Sequence, residues 1–201
     1  MSLHQSSSRS SSQCDIIFGK TKIAIERSLC TDIGKIISTP VESTKEIEVR
    51  FGYVMDGKNR SGLSSNPIES RERWYFLLKL LKNSGLYNKP EIEKTSVESY
   101  GELRKIINLG IPSKTEYQKK QRIKSVDMLN YMVGSLTHRI TLNVSSEIKQ
   151  LPKDTPGKPD YYRVRTRVSF NAIDGSHRID LTYVSDDYEV EIEYLKVMDK
   201  K

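Results

Sequence analysis

Alternation of apolar and polar residues is the dominant pattern of the chain from residue 45 onward. In KEIEVRFGY (45–53) the apolar residues take every second position, which is the spacing of a β-strand with one apolar face. Seven further segments are predicted to be strands, at 91–99, 102–109, 115–125, 138–147, 161–170, 177–185 and 187–196. A DGS turn at 174–176 joins two of them as a hairpin. Eight strands in mostly antiparallel succession predict a mainly β fold, as a closed barrel or a sandwich.

Two segments show helical spacing instead. Over 21–38, isoleucine and leucine recur three or four residues apart until Pro40 ends the pattern. Over 71–83, one apolar stripe follows a helix, and Gly85 comes shortly after its end. The stripe consists of Trp74, Leu77, Leu78 and Leu81. We expect both helices to flank the strands, which makes the fold α+β.

The remaining segments are assigned by composition. A short helix is predicted at 125–132, and loops are predicted at 56–67 and 151–160, where Gly, Pro, Asn and Ser cluster. The segment 1–13, MSLHQSSSRSSSQ, has the Ser-rich composition of a disordered tail. We expect 14–201 to form a single domain, because a chain of this length suffices for one sizeable core and not for two.

Composition and charge indicate the class of partner. The 201 residues carry 33 Lys and Arg against 26 Asp and Glu, a net charge of +7, which suggests an anionic partner such as nucleic acid or a polyphosphate. No apolar run reaches the roughly 18 residues of a transmembrane helix, so no membrane contact is expected. The two cysteines, Cys14 and Cys30, are too few for a disulfide framework, which favours a reducing compartment such as the cytoplasm.

Four of the predicted strands place polar side chains on one face and apolar side chains on the other. The polar faces are Glu46, Glu48 and Arg50; Arg163, Arg165 and Arg167; Arg178, Asp180 and Thr182; and Glu189, Glu191 and Glu193. These faces could be solvated, since carboxylates two positions apart repel by only about 0.6 kcal/mol in water. They could also line the lumen of a barrel, where the repulsion rises to roughly 2.5 kcal/mol per pair and demands a bound cation and facing arginines. Periodicity alone is consistent with both arrangements.

The acidic positions suit a particular type of metal ion. Clustered carboxylates without neighbouring His or Cys are typical ligands of hard divalent cations such as Mg²⁺ or Mn²⁺, and are not typical of zinc sites. A metal site on these strands would therefore be a magnesium or manganese site.

One segment nearly matches a nucleotide-binding P-loop. GYVMDGKN (52–59) has the two glycines and the lysine in place, but Asn59 stands where the magnesium-binding Ser or Thr is required. A loop-like composition also follows where a helix should begin. A P-loop is therefore not predicted.

Two acidic motifs and the two strands between them resemble a known family. EIEVRFG (46–52) and EVEIEY (189–194) resemble the paired glutamate motifs of the triphosphate tunnel metalloenzymes. RVRTRVSF (163–170) and HRIDLTYV (177–184) resemble the basic strand and the strand after it in the metal-dependent RNA triphosphatases of fungal and large-DNA-virus mRNA capping systems. All four motifs occur in the order of that family, and weaker similarity spans about 45–196.

The resemblance implies a fold, an activity and partners. The fold is a closed eight-stranded antiparallel β-barrel, the triphosphate tunnel, with flanking helices. The activity is hydrolysis of the γ-phosphate of 5′-triphosphate RNA to a 5′-diphosphate end, with Mg²⁺ or Mn²⁺ as cofactor and nucleotides as further substrates. Implied partners are a linked or associated capping guanylyltransferase and methyltransferase. The implied location is the cytoplasm, in the viral factory or virion of a large DNA virus.

The resemblance also implies roles for the polar faces. The metal-coordinating positions are Glu46, Glu48 and Glu193. The acidic positions that orient basic groups or bound water are Glu189 and Glu191. The positions that bind phosphate are Arg165 and Arg167, with Arg163 beside them. The supporting positions are Asp180 and Thr182.

One catalytic position of the family is not matched directly. RITLNVSSE (139–147) resembles a strand that carries a catalytic glutamate where this chain has Ser145. Glu147 lies two residues further along and has the same facing, so it is the candidate for that position.

Two other segments are expected to add cations to the lumen. The strand EYQKKQRIK (116–124) offers Lys119, Gln121 and Arg122, which belong to two different registers, and Arg122 is taken as the substrate-binding candidate. Arg104 is a further candidate phosphate ligand.

Two other functions fit the sequence. One is a tunnel phosphatase that acts on tripolyphosphate or free nucleotides; the acidic motif here ends in Arg50, where many of those relatives carry lysine, which favours the RNA branch. The other is a non-catalytic basic barrel that binds RNA. The acidic faces argue against it, because they would repel an RNA backbone.

Overall fold

The computed structural model describes residues 13–18, 21–26, 45–110, 112–133, 136–152, 157–185 and 187–195. The chain divides into two compact units, 1–39 and 40–201. The boundaries proposed for the tail and for the single domain stay predictions.

In the first unit, β1 (Gln13–Phe18) and β2 (Thr21–Glu26) pair antiparallel. The helix predicted over 21–38 is therefore wrong for 21–26, where the isoleucines at 23 and 25 fit strand alternation equally well. Residues 27–38 of that prediction, and residues 1–12 of the predicted tail, lie outside the described part of the chain.

The second unit contains one helix and nine strands among its described residues. They are β3 (Lys45–Met55), β4 (Lys58–Ser61), α1 (Pro67–Asn83), β5 (Glu91–Tyr100), β6 (Leu103–Asn108), β7 (Lys114–Val133), β8 (Leu136–Lys149), β9 (Tyr161–Asn171), β10 (His177–Val184) and β11 (Asp187–Tyr194). The strand order is β11-β10-β9-β5-β6-β7-β8-β3-β4, and β11 also pairs with β3. This last pairing closes eight antiparallel strands into a barrel and leaves β4 as an addition to β3. The predicted closed eight-stranded barrel is confirmed.

The long strand β7 replaces the helix predicted at 125–132. Its backbone pairs with β8 as far as Val133, with register shifts between Arg122 and Lys124 and between Asp127 and Leu129. Each such bulge inserts an extra residue and interrupts the period-two pattern. The apolar positions consequently fall three apart, which resembles helical spacing.

The predicted loop at 56–67 contains β4, which forms a tight hairpin with β3. The turn residues Asp56 and Gly57 have positive φ values of 51° and 67°, as in the type I′ turns that suit two-residue hairpins. The near-match to a P-loop is therefore a β-hairpin. Gly52 lies opposite Ser61 in this hairpin, where the two backbones approach closely.

Replacing Gly52 with alanine should destabilise the barrel. A Cβ atom at this position would lie 2.4 Å from the Arg60 carbonyl oxygen, so backbone atoms must move. We expect a loss of about 1–3 kcal/mol in the free energy of unfolding, measured by urea denaturation. Gly157→Ala is the matched control, because an added Cβ meets no described atom within 4 Å there. Equal stabilities of the two variants would contradict this explanation of Gly52.

Helix α1 covers the apolar outer faces of β9, β10 and β11. It begins earlier than predicted because the Asn66 side chain accepts hydrogen bonds from the backbone N–H groups of Ile68 and Glu69, at 3.0 and 3.4 Å. The predicted apolar stripe is confirmed, since it packs into one core. That core contains Trp74, Leu77, Leu78, Leu81, Val168, Phe170, Leu181 and Val190. In the described part of the chain, no helix has the length and apolarity needed to span a membrane.

Candidate active site

The polar faces of the barrel strands point inward and line a cavity of about 360 Å³. Its acidic lining is Glu46, Glu48, Glu93, Glu116, Glu147, Glu189, Glu191 and Glu193. Its basic lining is Arg50, Arg104, Lys120, Arg163, Arg165, Arg167 and Arg178. Because the carboxylates face a nearly equal number of cations, their mutual repulsion is offset. Of the two arrangements allowed by periodicity, the lumenal one is adopted.

The three glutamates expected to bind metal lie on two neighbouring strands. Glu46 and Glu48 share one face of β3, and Glu193 on β11 is the direct cross-strand partner of Glu48. Glu48 is only 3% exposed, and Arg50 Nε lies 2.9 Å from Glu48 Oε1 and 3.0 Å from Glu191 Oε1. Arg50 therefore joins the two acidic motifs across the β3–β11 pairing.

Lys120 lies at the centre of the acidic wall, although it was not predicted from the sequence to be a site residue. Its ammonium group contacts Glu46, lies 2.8 Å from Glu147 Oε1, and lies 3.7 Å from Glu48 Oε2. Lys119 instead points outward to Glu102, at 2.7 Å. This strand therefore does supply a cation to the tunnel, but the residue is Lys120 and not Lys119 or the candidate Arg122.

Burial and neighbouring charges shift the pKa values of these carboxyl groups in different directions. Burial raises the pKa of Glu48. Burial also raises the pKa of Glu193 to about 7, with a further contribution from Glu46, although Arg178 opposes this. Burial acts on Glu46 too, but the charge and hydrogen bonds of Lys120 outweigh it and lower its pKa. Glu46 is therefore the better-compensated anion of the three.

The basic wall is the arginine face of β9. Arg163 Nη1 lies 3.6 Å from Glu189, and Arg167 lies 3.3 Å from Asp180 and 3.9 Å from Glu191. Arg163 and Arg167 therefore each have carboxylate partners.

Arg165, between them, differs. Its Nε donates to Thr95 Oγ1 at 2.9 Å, and no carboxylate among the described residues lies within ion-pair distance. Burial and the charges of Arg167 and Arg163 lower its pKa to about 10. Arg165 is therefore a half-buried cation whose charge has no carboxylate partner among the described residues.

Strand β10 supports both walls. Asp180, 2% exposed, accepts a hydrogen bond from Ser169 at 2.6 Å and lies 3.1 Å from Arg178 Nε. Arg178 in turn pairs with Glu193. The Thr182 hydroxyl is buried beside this group and has no hydrogen-bond partner among the described residues.

Strand β8 brings both candidates for the unmatched glutamate position to the lumen. Ser145 donates to Glu46 at 3.1 Å, whereas Glu147 supplies a carboxylate to Lys120 and to the Gln118 amide. The side-chain facing expected for Glu147 is therefore confirmed. Its catalytic role stays a prediction.

The two remaining arginine candidates separate. Arg104 lines the tunnel cavity, and burial lowers its pKa. Arg122 does not line it; it lies in a second cavity at the level of Arg50. The structure thus brings together the predicted site residues except Arg122.

The donor chemistry of the acidic wall fits a hard divalent cation. The three expected ligands supply only carboxylate oxygens and occupy adjacent positions of one sheet. In the described part of the chain, no three acidic, histidine or cysteine groups converge on one point, because the carboxylates contact Lys120, Arg50 and Arg178.

Comparisons with known proteins give no match at the level of sequence. No protein-family model matches the chain, and no curated protein matches it.

Solved structures do match in fold. The Pct1 RNA triphosphatase of S. pombe superimposes with a TM-score of 0.63 at 16% identity, over 86% of this chain and 80% of that one. The same enzyme in complex with the Spt5 CTD gives 0.61 at 15% identity, over 87% and 81%. The Mimivirus capping enzyme triphosphatase gives 0.51 at 15% identity, over 87% and 91%. The chain therefore has the fold of these RNA triphosphatases, and the resemblance found in its four motifs is confirmed at that level.

Proposed function

We propose that the chain is a metal-dependent RNA 5′-triphosphatase, which converts the 5′-triphosphate end of RNA to a 5′-diphosphate for mRNA capping. The observation that carries this proposal is Arg165, a half-buried guanidinium between two other arginines and without a carboxylate partner among the described residues. Withdrawing a cation from water without a partner costs free energy unless an anion joins it. A triphosphate supplies that anion, because forked guanidinium groups match phosphate oxygens.

The reaction is hydrolysis of a phosphoanhydride. Water attacks the γ-phosphorus, the bond from this atom to the bridging β–γ oxygen breaks, and the products are orthophosphate and the 5′-diphosphate end. Arg163, Arg165 and Arg167 would bind the γ-phosphate and stabilise the charge on its oxygens in the transition state. Asp180 would hold Arg167 and Arg178 in place through the contacts described above.

Glu46, Glu48 and Glu193 would hold Mg²⁺ or Mn²⁺, which supplies charge neutralisation at the phosphate oxygens when bound. Glu189 and Glu191 contact Arg163 and Arg50 respectively, which fits their proposed role of orienting basic groups. Glu147 keeps Lys120 close to Glu46.

Two considerations favour RNA capping among the possible reactions. The similar structures are RNA triphosphatases, and one belongs to a capping enzyme. The acidic wall is unexplained if the barrel only binds RNA. Nucleotides as second substrates, an associated guanylyltransferase and methyltransferase, and a cytoplasmic location are further parts of the proposal.

The test is a phosphate-release assay on the purified chain. RNA with a ³²P-labelled γ-phosphate should release orthophosphate in Mg²⁺ or Mn²⁺, and EDTA should abolish the release. Tripolyphosphate and ATP are compared at equal concentration. Release from tripolyphosphate alone would replace the proposal with the tunnel phosphatase function. RNA binding without any release would support the non-catalytic barrel.

A further inference from the structure

A second cavity, of about 320 Å³, adjoins the tunnel cavity, and Arg50 lines both. The charged residues that line the second cavity differ from those that line the tunnel. Four arginines line the second cavity, namely Arg50, Arg60, Arg122 and Arg139, and no carboxylate of the described residues does. The neighbouring hydrogen-bonding groups include Asn59 and Ser61. We call this cavity the basic vestibule.

Within the part of the chain that the structure describes, two of the four arginines have no carboxylate partner. Arg50 pairs with Glu48 and Arg139 pairs with Asp127. Arg60 and Arg122 are exposed, and neither has an ion-pair partner among the described residues. The vestibule therefore carries uncompensated positive charge, which attracts polyanions.

The vestibule adjoins the tunnel, because Arg50 lines both cavities. The residues of strand β8 show the order of the two cavities along the barrel. The strand carries Thr141 and Asn143 in the vestibule, whereas Glu147, roughly 20 Å further along than Thr141 by the rise per residue, lines the tunnel with Glu116. The arginine-rich vestibule thus lies at one end of the barrel interior, and the acidic wall of the tunnel lies further along the barrel.

The β3–β4 hairpin places Arg60 in the vestibule. Gly52 allows the Arg60 carbonyl to approach β3 closely, and the Asp56–Gly57 turn sets the hairpin register. The segment that nearly matched a P-loop thus forms most of the hairpin that carries Arg60.

From these observations we infer that the basic vestibule binds the ribose-phosphate backbone of the first nucleotides of RNA and admits the triphosphate end into the tunnel from this side. The inference rests on the proposed function, and it specifies what distinguishes RNA from tripolyphosphate. Arginine contacts to phosphodiesters carry no base information, so this binding is independent of RNA sequence. A chain attached to the triphosphate gains these contacts, and tripolyphosphate has no such chain.

The test measures binding apart from catalysis. A ten-nucleotide single-stranded RNA with a 5′-triphosphate and a 3′ fluorophore is titrated in EDTA and followed by anisotropy, and tripolyphosphate is measured as a competitor. Arg60→Glu should raise the Kd for RNA about tenfold and reduce the slope of log K against log salt by about 0.7 for each phosphate that the variant no longer neutralises. The ratio of RNA affinity to tripolyphosphate affinity should fall accordingly. Arg122→Glu should act in the same direction.

The control is Arg71→Glu on the exposed side of α1, which makes the same charge change outside both cavities and should leave the Kd unchanged. Circular dichroism and thermal melting verify that each variant is folded. Wild-type RNA affinity in folded Arg60→Glu would overturn the inference, as would an equal loss of RNA and tripolyphosphate affinity. A weakened RNA affinity in this variant, together with no phosphate release by the wild type, would retain the vestibule and refute the proposed function.

Discussion

Glu193→Gln should lower metal-dependent γ-phosphate release by at least about 100-fold. Replacing a residue that only hydrogen-bonds to a metal ligand already lowers metal affinity or activity about 10–100-fold, and a direct ligand should matter at least as much. Glu193 lies directly across from Glu48, so it would complete the group of carboxylates on β3 and β11. Glutamine keeps the size and can still accept a hydrogen bond from Arg178, but it lacks the negative charge that a divalent cation requires. Initial rates over a range of Mg²⁺ and Mn²⁺ concentrations measure the loss.

The fold should survive this substitution. Arg178 keeps its second partner, since its Nε lies 3.1 Å from Asp180 Oδ1, so no buried charge is left alone. Glu102→Gln is the matched control: it removes a carboxylate that pairs with Lys119 outside the tunnel and is 59% exposed. Surface pairs contribute little, so this control should retain its activity. Full activity of folded Glu193→Gln would refute the metal role, and equal losses in both variants would indicate a non-specific effect.

The barrel itself was predictable, because eight segments were predicted to be strands and four of them alternate a polar face with an apolar face. The alternation could not show which face of each strand points into the barrel. Polar side chains recur at every second position whether they face water or the lumen. The packing of α1 determines which face is inside. The helix covers Val168, Phe170 and Leu181 on the outer faces of β9 and β10, so the arginines of β9 point inward. The helix stripe centred on Trp74 was the sequence signal for that packing.

Local errors had local physical causes. The run KKQR (119–122) offers a cation in either register, so the sequence could not distinguish Lys120 from Lys119 until pairing with β8 set the register. The bulges of β7 shifted the apolar positions over 125–132 and produced a false helix. The absence of a carboxylate beside Arg165 among the described residues was also invisible, because ion pairing depends on which strands become neighbours.

Arg165→Met should reduce kcat/KM for triphosphate RNA by about 100- to 1,000-fold, the range found when one preorganised donor to a developing charge is removed. The reason is that this guanidinium donates only to Thr95 among the described residues and so has free donors for phosphate. Arg165→Lys should recover only part of the loss, since an ammonium group lacks the forked geometry. Single-turnover rates and phosphate release at varied RNA concentration separate binding from chemistry.

The same substitution should not weaken the fold, which distinguishes a binding role from a structural one. Because burial and two neighbouring arginines lower the pKa of Arg165 to about 10, below its ordinary value, its charged form opposes folding at every pH below about 10. Methionine removes that charge and keeps the aliphatic volume, so the melting temperature should stay constant or rise.

In EDTA, tripolyphosphate should raise the melting temperature of the wild type and of the control Arg71→Met, and raise that of Arg165→Met much less. An inactive variant that melts well below the wild type would make Arg165 a structural residue, and an active variant would remove it from the phosphate site.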